Sequence, residues 1–424
     1  MLDDWNAFII ETYNETDPSE IISSDRAIIK ELAKRLGDLS QDPVNEEKRA
    51  LWIAHNSLRQ KRPMIACDPE NSWNEIIPPD HIESESAIGR YWEFLLRREL
   101  FWGERMNDDH VVEGVFNIPF VYRTTGWGLK EERVYHDPKG SFTWVAPLAD
   151  YSDMKKMHHP KITVNYEMTD AYTELANELM SPALKIERKG VWWWTLGLTI
   201  NVAFLRGLEQ FMMDFYDNEK ELHALMAFLS DGYMSLLDFL EENHLLTMNN
   251  DGSNCGSGGL GFTDELTVDN GAVPFLRNMW GFSESQETVS VSPQMFEEFI
   301  FRYQLPLLER FGLNSYGCCE PLNGRWEIIK RIPNLRRVGV SPWADMQDMA
   351  EKLKKDYVYC LKLSPVPLAF ANMDKEAVRN TIREALKITR DTNAEYIMQD
   401  THTFGGRIQN AIDWCTIVRQ EIEN

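Results

Sequence analysis

Positive charge is scarce in this chain. Its 424 residues carry 44 Lys and Arg against 67 Asp and Glu, a formal net charge of −23. A surface of that sign repels nucleic acid and anionic membranes, so neither is expected as a partner. Cysteine is scarce too. Six residues, two of them adjacent, do not make a disulfide framework, and a reduced cytoplasmic protein is the expectation. Long apolar runs are missing: no window approaches the roughly eighteen residues of a transmembrane helix. The start, Met1-Leu2-Asp3-Asp4, is acidic and has no apolar stretch, so no signal peptide is expected.

What is present is an ordinary globular mixture, 43% hydrophobic and 26% charged, with ample length for a large core. Residues 1–60 read as a polar, helical N-terminal extension. In it, Asp25 to Ala33 repeats at a helical period and Gly37 is placed to end the helix. Pro63 to Cys67 reads as a buried strand, residues 86–106 as an amphipathic helix, and Val111 to Pro119 as a strand. Residues 120–215 read as an insertion with irregular, hairpin and helical parts. Asp217 to His244 is the strongest helical pattern, with Asp217 as its cap. From residue 245 the pattern becomes strand, loop, helix, repeated. Strands are expected at 245–249, 278–282, 313–316, 335–340, 357–363 and 394–399. Successive units of this kind argue for a parallel sheet, and their spacing fits a (β/α)8 TIM barrel over residues 61–424. A doubly wound open sheet is the other architecture considered.

In such a barrel the chemistry sits on the loops after the strands. The run Gly256-Ser257-Gly258-Gly259-Leu260-Gly261 fits a dinucleotide-binding pattern. It lies too far from its strand, however, and opens no apolar helix, so a flexible substrate-covering loop is the better reading. Two other loops matter more. One is Tyr316-Gly317-Cys318-Cys319-Glu320-Pro321; the other is Asp400-Thr401-His402-Thr403. Strand alternation puts Tyr316 and Cys318 on one face, so that only one of the two adjacent cysteines can face the barrel centre. Cys318, His402 and a carboxylate would make a zinc-binding set with an open position. A buried cysteine with a hydrogen-bonded histidine reads equally well.

Five stretches in register resemble one family. They are Phe282-Ser283-Glu284-Ser285 with Val291 to Phe299, then Tyr316-Gly317-Cys318, Val338 to Asp345, Leu361-Lys362-Leu363-Ser364-Pro365, and Thr401-His402-Thr403. Over about residues 275–424 the chain resembles the uroporphyrinogen decarboxylase superfamily, in particular its zinc- and corrinoid-dependent methyltransferase branch. The resemblance implies a (β/α)8 barrel in which zinc assists methyl transfer to or from cobalamin carried by a partner corrinoid protein. It implies Cys318 and His402 as zinc ligands with Glu320 third, ahead of Cys319 and Asp400. The departure is Tyr316, which stands where the family has a histidine ligand. The decarboxylase branch fits less well, because Cys67-Asp68-Pro69-Glu70 is acidic where those enzymes carry arginines.

The expectation is therefore a zinc-assisted, corrinoid-dependent methyltransferase. A homodimer is left open. Glu284, Asp345 and Lys362 are the expected catalytic side chains, and Asn249, Trp280, Tyr316 and Trp343 the expected substrate-binding ones. Aromatic residues at strand ends suggest a methoxylated aromatic substrate and hence O-demethylation. The alternatives are a metal-free decarboxylase or lyase of the same superfamily acting on a small acid, and a non-catalytic binding barrel.

Overall fold

The computed structural model describes residues 4–130, 132–135, 142–269 and 271–424. Eight strands, each paired in parallel with a neighbour, carry the fold: β1 (Met64–Cys67), β2 (Val115–Pro119), β3 (Lys185–Lys189), β4 (Trp280–Ser283), β5 (Leu313–Tyr316), β6 (Leu335–Val340), β7 (Val358–Lys362) and β8 (Asn393–Met398). Six of them form one sheet in the order β1-β8-β7-β6-β5-β4, and β2 pairs with β3 in a second. In the six-stranded sheet the order from β4 to β8 advances one way and then reaches β1. The order never reverses, so the sheet lacks the switch point of a doubly wound fold. Two short antiparallel pairs, 122–124 with 162–164 and 132–135 with 142–145, fall within the expected insertion.

Along both end strands of the six-stranded sheet, residues outside any strand supply the pairing. The Asp109 amide donates to the Ile65 carbonyl, and the Asp109 carboxylate takes the Ile65 amide. Residues 245–249 lie between β3 and β4 but form no strand. The Asn249 side chain both donates to the Trp280 carbonyl and accepts from its amide. One amide side chain thus does the pairing expected of a strand.

The sheet strands are buried along their length, as in a sheet covered on both faces. The main core joins them to the helix Glu219–Glu242 and to the helices between the strands. That long helix starts after Asn218; Asp217 instead ends the preceding helix, Leu208–Asp217. A second core joins the helices Ser23–Ser40, Ala87–Arg105 and Tyr166–Met180 to β2, with Trp92 and Tyr172 fully buried. Residues 4–56 are mostly helical. No helix among the described residues is long and apolar enough to cross a membrane.

Gly37 does not end its helix. It lies inside Ser23–Ser40, buried, where an added Cβ would stand 2.5 Å from the Ala183 carbonyl oxygen. Alanine is the better helix former by about 1 kcal/mol, but the clash is with backbone and cannot relax cheaply. Overpacking of this kind costs about 1–3 kcal/mol. Gly37→Ala is expected to lower the unfolding free energy in a denaturant titration; a gain would contradict the close approach.

Candidate active site

The glycine run is the interior of the molecule rather than a cover over it. Residues 255–263 are buried. The Cys255 amide donates to the Gly259 carbonyl, folding the run into a tight loop. This loop touches four successive strands. A Cβ on Gly256 would meet Ser315 of β5 at 2.2 Å, one on Gly259 would meet Arg337 of β6 at 2.3 Å, and one on Gly258 would meet Ile397 of β8 at 2.4 Å. On β7, Cys360 donates to the Ser257 carbonyl. Gly256 and Gly258 both take φ of +109°, which side chains other than glycine rarely adopt.

Arg337 holds the loop. It is fully buried and donates to the carbonyls of Cys255 (3.0 Å) and Leu260 (3.1 Å), to Asn56 Oδ1 (2.7 Å), and to Glu395 (2.8 Å). The guanidinium also lies over the Trp280 ring, whose N–H donates to the Gly261 carbonyl. Burial pushes the Glu395 carboxyl up, but Arg337 and the His55 hydrogen bond outweigh it, and the net value is about 2.

So held, the loop delivers Ser257 to the C-terminal end of the sheet. Ser257 Oγ accepts from Lys362 Nζ at 2.8 Å and donates to Cys318 Sγ at 3.2 Å. Lys362, the last residue of β7, is buried. Its ammonium reaches Asp400 (3.1 Å), Cys318 Sγ (3.5 Å) and Cys319 Sγ (3.7 Å). Burial would weaken its hold on the proton, but the two thiols and Asp400 raise its pKa, so it stays charged. Cys318 and Cys319 touch at 3.6 Å. The hydrogen bond between them raises Cys318, which burial raises further, and lowers Cys319, which is half-buried and also feels Lys362. Glu70, on the loop after β1, is raised to about 8 by burial and by the charges of Asp68 and Asp400, against the pull of Lys362.

Strand alternation does not run through the Cys-Cys turn. Ser315 faces the loop, whereas Tyr316 faces the helices: its hydroxyl donates to Gln304 at 2.8 Å and it is fully buried. Gly317, at φ +99°, then turns the chain so that Cys318 comes in beside Ser257. Tyr316 is thus a structural phenol behind the turn. Both Glu320 oxygens are taken by amides, of Ser285 and of Cys318, at 2.9 Å each. Glu284 is buried beside it and accepts from the Gln286 amide. Burial, with Glu287 and Glu320 nearby, holds Glu284 well above the usual carboxylate range.

Of the expected residues, Lys362 and Cys318 meet, Glu320 accepts the Cys318 amide, and His402, Asp345, Asn249, Trp280 and Trp343 are engaged elsewhere or exposed. His402 is exposed and pairs with Asn71 at 2.9 Å. Asp345 caps the helix Met346–Leu353 by accepting from the Asp348 amide. Asn249 and Trp280 are tied to backbone as described, and Trp343 is 77% exposed. Trp192 bonds the Leu245 carbonyl, and Trp194 packs edge-on to Phe282. Ser257, Cys319, Asp400 and Glu70 complete the cluster. Cys319 and Asp400 are candidate third ligands in the sequence reading; Ser257 is not legible there, because its loop reads as a surface feature.

The residues present do not fit a zinc ion. Each Glu320 oxygen already accepts an amide, His402 Nδ1 pairs with Asn71, and the Lys362 ammonium lies 3.5 Å from Cys318 Sγ, so the three expected ligands are not gathered on one centre. Among the described residues no group of three or more His, Cys, Asp or Glu side chains is arranged to hold a metal. No family model and no curated protein matches the chain. Among solved structures, a methyltransferase from Methanosarcina mazei is similar at 9% identity and a TM-score of 0.47, covering 89% of this chain and 99% of that one.

Two outcomes follow from the electrostatics. Arg337→Met leaves Glu395 buried without its cation, so chemical denaturation should show a loss of about 3–5 kcal/mol; a loss under 1 kcal/mol would contradict the anchoring role. For Glu70 the unfolded carboxyl titrates near 4.3 and the folded one at about 8. The folded chain therefore holds the extra proton across that window and loses stability as pH rises through it. Relative to Glu70→Gln, the wild type should lose about 3 kcal/mol between pH 5 and pH 8. Parallel stability curves would show that Glu70 is ionised throughout.

Proposed function

We propose that the chain is a methyltransferase. It moves a methyl group between a small methylated substrate and cobalamin carried by a partner protein, with the eight strands closing a (β/α)8 barrel. Support comes from the five stretches in register and from the position of the cluster at the C-terminal ends of parallel strands, where barrel enzymes carry their chemistry. The observation that carries the reading is the buried Lys362 ammonium, held charged among Cys318, Cys319, Ser257 and Asp400.

In this reading Lys362 takes the part the resemblance gave to zinc. When the methyl group leaves a heteroatom, negative charge develops there, and a fixed ammonium stabilises it in a site with little water. Asp400 and Ser257 keep its donors aimed at that heteroatom. Cobalamin on the partner supplies the acceptor or donor of the methyl group. The buried carboxylates behind the turn, Glu284 and Glu320, are raised by burial. The substrate is a small methyl ether, thioether or amine.

Decarboxylation of a small acid is the second reading, and Glu70 favours it. A carboxyl that keeps its proton near neutral pH, beside a lysine that could grip a carboxylate, can protonate the carbanion that decarboxylation leaves.

The decisive assay mixes the protein with a cob(I)alamin-carrying protein and candidate methyl donors and follows the methylcobalamin spectrum. Lys362→Met should lower the rate about 10²–10³-fold, the usual cost of one preorganised charge. An unchanged rate would remove Lys362 from the chemistry. Release of carbon dioxide from small acids, with no methyl transfer, would establish the second reading. Metal analysis of protein purified without chelator should find well under one zinc per chain. One zinc per chain, lost in Cys318→Ala and His402→Ala, would restore the zinc mechanism.

A further inference from the structure

The Cys318–Cys319 pair has a property that methyl transfer does not use. The two sulfurs are in contact at 3.6 Å. Their surroundings differ: Cys318 is 5% exposed and behind the turn, whereas Cys319 is half-buried and open to a reagent. Lys362 lies within 3.5 Å and 3.7 Å of the two sulfurs, a fixed cation beside any thiolate formed there. Adjacent residues normally point apart, but Gly317 at φ +99° breaks the strand period just before the pair.

We propose that Cys318 and Cys319 form a vicinal redox pair that a small disulfide oxidises to a Cys318–Cys319 bond. The Cys319 sulfur attacks one sulfur of the reagent; a mixed disulfide forms and one thiol leaves. The Cys318 sulfur then attacks the Cys319 sulfur, the intramolecular bond closes, and the second thiol leaves. The pair gives up two electrons and two protons, and the reagent is reduced to two thiols. Lys362 favours each step by stabilising the attacking sulfur, and closure leaves Ser257 and Asp400 to hold it. The inference rests on the geometry of the pair and not on the methyltransferase reading.

The chain carries its own comparison. Cys67 and Cys415 are hydrogen-bonded to each other but are buried at 1% and 0%. Contact without access should leave that pair reduced.

The test is to incubate the folded chain with oxidised glutathione, block free thiols and map the peptides. Trypsin places both cysteines in one peptide, residues 311–325. That peptide should lose about 2 Da and both blockable thiols, and regain them with dithiothreitol. Cys67 and Cys415 should remain free. Cys318→Ser should hold a stable glutathione adduct on Cys319, which checks the order of attack even if the closed form of the wild type proves short-lived. A wild-type peptide with glutathione persisting on Cys319 and Cys318 free would overturn the proposal. So would both thiols staying free, or oxidation of Cys67 and Cys415 first.

Discussion

Arg337 is a full positive charge with no access to water, and the molecule is organised around satisfying it. An unpaired buried guanidinium would cost several kcal/mol. Its donors are met by Glu395, Asn56 and the carbonyls of Cys255 and Leu260, which belong to a strand, the N-terminal helices and the glycine loop. Those carbonyls can reach it because Gly256, Gly258 and Gly259 have no side chains to clash with Ser315, Ile397 and Arg337. Satisfying one cation therefore fixes the path of a loop that would otherwise be free to move. Ser257, three residues from Leu260, is carried to Lys362 and Cys318 by that path.

The second buried cation, Lys362, is satisfied in a different way. Arg337 has a carboxylate and carbonyls fixed around it, whereas Lys362 has thiols, a hydroxyl and the half-exposed Asp400. Thiols are weak acceptors. Asp400, at 3.1 Å and half exposed, is its carboxylate partner. The two buried cations thus differ in how completely fixed groups satisfy them. Glu320 adds rigidity: by accepting the amides of Ser285 and Cys318 it ties the loops after β4 and β5 together, so the thiol turn cannot drift from the lysine.

The strand–loop–helix period of the C-terminal half was readable because it is local. Asp374 caps its helix as its position implies, and β5 and β6 fall where the apolar runs end. Lys362 was readable as a strand-end cation. The departures share a cause: a backbone feature or a long-range contact overrides the local pattern. Gly317 breaks the alternation that placed Tyr316 inward. Asn249 replaces a strand with one side chain. Gly37 answers to Ala183, far away in sequence, rather than to its own helix end. The glycine loop reads as mobile because nothing nearby in sequence names Arg337 as its partner. His402 was placed at the site by its strand end, but Asp400 at φ +58° turns the chain, and the imidazole meets Asn71 instead.

Hydrogen–deuterium exchange of the glycine loop tests the central claim most directly. If Arg337 anchors the loop inside the sheet, the amides of Cys255 and Gly261, which donate to Gly259 and Ser253, should exchange as slowly as those of β6 and β7. Exchange within seconds, as in an exposed loop, would mean that the loop is not anchored and that Ser257 is not held at Lys362.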